Sequence, residues 1–185
     1  ESVAFASRRP GVRIPLPPLS GRRCSLITPA RPRVLDTHES RPAVHMIEIS
    51  IATPAREVLV DITQKVQSAV TASAPALTGM ISVFVPHTTA GVTINEGADP
   101  SVAEDIAETL ARLVPADAGY RHAEGNSDAH VKTSLVGNQV AVPVEQGRLR
   151  LGTWQSIYLA EFDGPRTRRI WLIPIPSIAG TSNQA

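Results

Sequence analysis

From Met46 onward, polar and hydrophobic positions fall into regular periods. Ile47, Ile49 and Ile51 alternate with Glu48 and Ser50, which predicts a half-buried strand over 46–52. Thr53-Pro54 then reads as a helix start, a capping hydroxyl with proline at the first helical position. Val58, Ile62, Val66 and Val70 recur every four residues and predict the buried stripe of that helix, to about Ala72. Gly79 to Val85 predicts a second strand, with Ile81, Val83 and Val85 on one face and His87 continuing it. Val92–Ile94 predicts a short third strand. Asp99 caps a second helix with Pro100 at its first position and Val102, Ile106, Leu110 and Leu113 as its stripe.

After a polar loop over 116–129, a short helix is expected from Ser127 to Val136, although Val131 and Thr133 leave a strand open. Three strands follow, at about 139–144, 148–162 and 168–175. Gln146-Gly147 and Asp163-Gly164-Pro165 form the turns between them. Helices early and adjacent strands late predict an α+β fold. It is a single compact domain in which two main helices pack on a mostly antiparallel sheet or sandwich.

Composition changes this picture at the ends. Residues 1–45 are rich in Arg, Pro and Ser and lack apolar periodicity, so they are expected to be a disordered or loosely packed extension. The domain is expected over 46–180, with 181–185 as a tail. The head carries seven arginines against one acid in residues 1–34, whereas 46–185 holds ten Lys/Arg against fourteen Asp/Glu. The favoured account is an upstream extension of a protein starting at Met46. Organelle import by this Arg-rich head is the lesser option. An acidic core is a poor nucleic-acid binder, and no apolar run is long enough to span a membrane. One cysteine, Cys24, excludes an intrachain disulfide and a cysteine zinc site. A cytoplasmic location is expected.

Candidate chemistry gathers in two loops. Pro86 to Pro100 holds His87, Thr88, Thr89, Asn95, Glu96 and Asp99, and the 116–129 loop leads through His122 to His130. Three neutral imidazoles can hold a metal and leave a position open. Each can equally be a histidine satisfied by backbone. Gln155, Ile157, Leu159 and Glu161 share one strand face, so Glu161 is either a fourth ligand or general base, or an exposed strand end. Trp154 and Tyr158 fall on the other face. Asn95 and Glu96 have no ready structural role. Lys132 either neutralises a phosphate or is simply solvated, while Arg166, Arg168 and Arg169 form a basic cluster after a turn whose forks suit phosphate but which reads more commonly as a solvated hairpin end. No Gly-x-Gly-x-x-Gly, Walker or Gly-x-Ser-x-Gly sequence is present.

His87-Thr88-Thr89-Ala90-Gly91-Val92-Thr93-Ile94-Asn95-Glu96 with Asp99-Pro100 resembles the first signature of the YjbQ family. So do Gly125-Asn126 through His130 with Lys132, and Gly147-Arg148-Leu149 running into Gly152-Thr153-Trp154-Gln155, with Glu161 six residues on. The resemblance covers about Met46 to Pro176. It implies an α+β subunit, a homotrimer, and a histidine-lined cleft that holds a divalent metal (zinc or magnesium) or an anion. It also implies a thiamine-phosphate synthase activity, which joins a pyrimidine diphosphate to a thiazole phosphate and releases pyrophosphate. On this reading His87, His122 and His130 hold the metal. Glu161, Asn95 and Glu96 are catalytic, and Thr88, Thr89, Lys132, Trp154 and Gln155 bind a small phosphorylated metabolite. A metal-dependent hydrolase and a non-catalytic module for such a metabolite remain the alternatives.

Overall fold

A computed structural model describes residues 45–177. The extension expected over 1–45 and the tail over 181–185 fall outside them, His45 apart. The order is β1 (Ile47–Ala52), β2 (Val58–Asp61), α1 (Thr63–Ser73), β3 (Gly79–Phe84), β4 (Ala90–Glu96), α2 (Pro100–Leu113), α3 (Ser127–Val136), β5 (Gln139–Glu145), β6 (Arg148–Leu149), β7 (Gln155–Glu161) and β8 (Thr167–Pro176). Among the described residues the fold is α+β, with three helices and two antiparallel sheets.

The first helix begins ten residues later than the Thr53-Pro54 signal. Val58-Leu59-Val60 is a β-favouring run, and it pairs with Tyr158 to Glu161 instead of coiling. Asp61 Oδ1 then accepts the Thr63 amide at 2.8 Å and starts α1. The strand expected over 148–162 is also broken. Gly152 donates to Gln155 Oε1 and its carbonyl takes the Gln155 amide, so the chain turns between β6 and β7. The helix from Ser127 forms as expected and stops at Gly137, whose φ of +90° suits glycine. Asp99 caps α2 by accepting the Ser101 amide.

The larger sheet runs β1-β8-β3-β5-β6 and the smaller β2-β7-β4. Their facing sides share one core. Ile51, Ile81, Val83, Val142, Ile170 and Leu172 from the first meet Val92, Ile157 and Leu159 from the second, and Ile62, Val66 and Val70 close it with α1. The other side of the small sheet carries α2 and α3 over Leu59, Tyr158, Ala160 and Phe162. Gly91 lets α3 come this close: a Cβ there would lie 2.5 Å from the Gly137 carbonyl. Among the described residues, no helix is long and apolar enough to cross a membrane.

Candidate functional site

Antiparallel pairing of β4 with β7 decides where the signature residues go. Ala90 lies opposite Glu161, and Glu96 lies opposite Gln155. Six residues of strand separate the two ends, roughly 20 Å at ~3.3 Å per residue. Thr88, Thr89 and Glu161 therefore sit at one end of the ladder. Asn95, Glu96, Trp154 and Gln155 sit at the other, and the structure does not bring these two groups together.

At the first end the interior holds charge. Glu161 is fully buried and is not an exposed strand end. Arg168 faces it from the other sheet, donating through Nε at 2.7 Å and through Nη2 at 2.5 Å. Thr53 Oγ1 donates to the same carboxylate at 3.0 Å, and the amides of Phe162 and Asp163 do so at 3.0 and 2.9 Å. Burial pushes the Glu161 carboxyl up, but Arg168 and these donors outweigh it and hold it below the usual range. Arg168 also donates to Thr89 Oγ1 at 3.0 Å, which fixes the loop. The expected solvated arginine cluster is thus corrected. Arg168 is 5% exposed, Arg166 pairs with Asp163, and only Arg169 remains exposed without an ion pair.

His87 lies beside this pair. Its Nε2 accepts the Arg169 amide at 3.1 Å, so in the neutral ring the proton belongs on Nδ1. Burial, together with the charges of Arg168 and Arg169, holds His87 below its ordinary pKa. It is a neutral imidazole with one N–H to offer at physiological pH.

Lys132 is corrected as well. It is fully buried, with Nζ 2.9 Å from Glu57 Oε1 and 3.0 Å from Asp128 Oδ2. Arg56 forks onto the same Asp128. Burial works against the Asp128 carboxylate, but Lys132 and Arg56 prevail and lower its pKa. Two cations and two carboxylates close on themselves, and with 1% of its side chain exposed Lys132 presents no donor to a phosphate from solvent. The sequence reading missed Thr53, Arg56, Glu57, Asp128 and the inward turn of Arg168.

The three histidines do not form one centre within the chain. His122 and His130 meet edge to face, with ring centroids 5.4 Å apart, and His122 Nε2 is 3.6 Å from Glu124. His87 has its Nε2 engaged and two arginines beside it, which oppose a metal cation. Among the described residues, no three His, Cys, Asp or Glu side chains are grouped to hold a metal. The residues of a single chain do not by themselves fit the expected three-histidine zinc or magnesium site.

At the far end, Trp154 is 65% exposed and Gln155 is bound back to Gly152. Tyr158 is buried, donating to the Glu96 carbonyl at 3.0 Å. A cavity of about 520 Å³ lies near this end, between α2 and the small sheet, and Glu57, Asp61, Glu104 and Glu108 line it. Its negative lining disfavours a phosphorylated ligand.

Comparison with known proteins places these features in a lineage. The UPF0047 protein MJ1081 of Methanocaldococcus jannaschii is 49% identical over 127 residues, 69% of this chain and 91% of that protein. The UPF0047 protein YugU of Bacillus subtilis is 45% identical over 125 residues, 67% of this chain and 94% of that protein. A crystal structure of a YjbQ/UPF0047-family protein from Clostridium acetobutylicum superposes with a TM-score of 0.66 at 49% identity, covering 70% of this chain and 99% of that one. The conserved hypothetical protein TT1486 of Thermus thermophilus gives 0.65 at 47% identity, with 70% and 99% covered. The family described as "UPF0047 protein YjbQ-like" matches residues 47–176, and the chain belongs to that family.

Proposed function

We propose that this protein is an enzyme acting on a small phosphorylated metabolite, which it takes at the corner between the 87–89 loop and the start of β8. The observation that carries the reading is the donor set at that corner. His87 offers Nδ1–H in its neutral form, Thr88 is an exposed hydroxyl, and Arg168 and Arg169 supply positive charge beside them. Such donors suit phosphoryl oxygens. The nearby carboxylate, Glu161, is already engaged by Arg168 and so adds little repulsion. The reaction to assay first is the thiamine-phosphate synthase step, in which pyrophosphate leaves the pyrimidine. His87 Nδ1–H would donate to the departing phosphate oxygen while the arginines stabilise its charge.

A second reading, a metal-assisted hydrolase, is favoured by the His122–His130 pair. One chain supplies two imidazoles there, so a zinc or magnesium ion at that place would need ligands from a neighbouring copy. Calorimetric titration with inorganic phosphate, pyrophosphate and thiamine phosphate tests the main reading. Binding that His87→Ala weakens is the expected result. Absence of binding to all three at millimolar concentration would sink it.

A further inference from the structure

Among the described residues, Arg168 is the only buried arginine. A guanidinium carries five N–H donors in a planar fork. Arg168 uses Nε and one edge of Nη2 on Glu161, and the rest of Nη2 on Thr89. Its Nη1 has no hydrogen-bond partner among the described residues. Among the described residues, the buried side-chain atoms that lack a partner are Glu57 Oε2, Ser82 Oγ, Asn126 Oδ1 and Thr133 Oγ1, and Arg168 Nη1 is not one of them. The free end is therefore the part that solvent reaches, within the 6% of the side chain still accessible. Glu161 is itself held by Thr53 and two backbone amides. The whole arrangement is a rigid mount for one guanidinium, and His87 Nε2 accepts the amide of the next residue, Arg169, at 3.1 Å.

We propose that Arg168 is the residue that reads the phosphoryl group, through its free Nη1 beside His87, and that Glu161 is a positioning residue that aims this guanidinium. The inference rests on the phosphorylated-metabolite reading above and sharpens it to a phosphoryl oxyanion over a carboxylate. A fixed arginine recognises such an anion without first losing side-chain freedom, because Glu161 and Thr89 have already ordered it. A lysine at 168 has one ammonium, and Glu161 would claim it.

The test is calorimetric titration of the full chain with inorganic phosphate and, separately, acetate at low ionic strength. The expected result is a preference for phosphate of about tenfold or more, and a loss of about tenfold in phosphate affinity in Arg168→Lys. Glu161→Asp keeps the charge and shortens the mount. It should lower the phosphate-to-acetate ratio, whereas a purely structural role would lower the melting temperature and leave the ratio alone. If Arg168→Lys does not fold, the double variant Arg168→Met/Glu161→Met removes both buried charges and should fold without phosphate selectivity. Arg112→Gln, remote on α2, is the control. If His87→Ala weakens phosphate while Arg168→Lys stays within twofold of the parent, the inference is overturned and the wider reading stands. If the parent protein does not prefer phosphate to acetate, the oxyanion assignment is overturned. If it binds neither ion, both fall.

Discussion

Replacing Glu161 with glutamine removes one charge and almost no volume, so its effect reports the buried ion pair. In the parent chain, Glu161 and Arg168 have side-chain exposures of 0% and 6%. The variant leaves an arginine in the interior with no counter-charge. Breaking a buried pair in this way costs about 3–5 kcal/mol, a large share of the 5–15 kcal/mol typical of a domain. At roughly 2–4 °C per kcal/mol for a chain of this length, the melting point should fall by about 6–20 °C. Urea denaturation followed by circular dichroism measures the free energy directly. The double variant Glu161→Met/Arg168→Met should be more stable than Glu161→Gln alone, because it leaves no orphan charge. The pH dependence follows with a definite sign. The carboxyl is depressed in the folded state, so the unfolded chain binds more protons in acid. The parent's extra stability is present above the unfolded value of about 4.3 and is lost as pH falls through the lower folded value. Glu161→Gln should lack that component. A loss under about 1 kcal/mol, with an unchanged acid limb, would refute the reasoning.

Lys132→Ala should destabilise the chain by about 3 kcal/mol, because buried Asp128 loses one of its two cations, yet phosphate affinity should stay within about twofold; calorimetry and urea melts together decide this. Self-association as a trimer is expected to cover the outer face of the five-stranded sheet, where Ile173 and Ile175 are 37% and 50% exposed. Light scattering should then give three times the 19.7 kDa chain mass, Ile175→Lys should dissociate it, and a monomer at micromolar concentration would end the idea. Phosphate binding should survive exhaustive chelation, since the His87 corner relies on N–H and O–H donors; loss of binding that zinc or magnesium restores would favour the metal-assisted reading.

Much of the fold was legible because period two and period four report burial directly. β1, β3, α2 and α3 lie where alternation or capping puts them. The failures share one cause. Thr53-Pro54 is a sound local helix signal, but pairing of Val58–Asp61 with β7 is a long-range contact that no local pattern carries. The same holds for the break at Gly152. In the candidate site, Glu161 shares parity with Ile157 and Leu159, and Arg168 shares parity with Ile170 and Leu172. Strand alternation therefore already put both charges inside, opposite in sign. Reading the arginines as a cluster beside a turn hid that parity. Lys132 was misread for another reason: Asp128, four residues earlier on α3, is a partner the helix itself supplies, but Glu57 lies before β2 and only the packing of α3 brings it to Lys132.

The place of β8 has a consequence for synthesis. Thr167–Pro176 is the last described element, yet it lies between β1 and β3, pairing with Ile47–Ala52 on one side and Gly79–Phe84 on the other. A chain emerging from the ribosome therefore exposes β1 and one edge of β3 as unpaired, apolar strands until nearly the whole domain has been made. Folding of the large sheet is completed late, because the strand that joins β1 to β3 arrives last. A stalled or truncated chain ending before Thr167 would keep two open edges and would be an aggregation hazard.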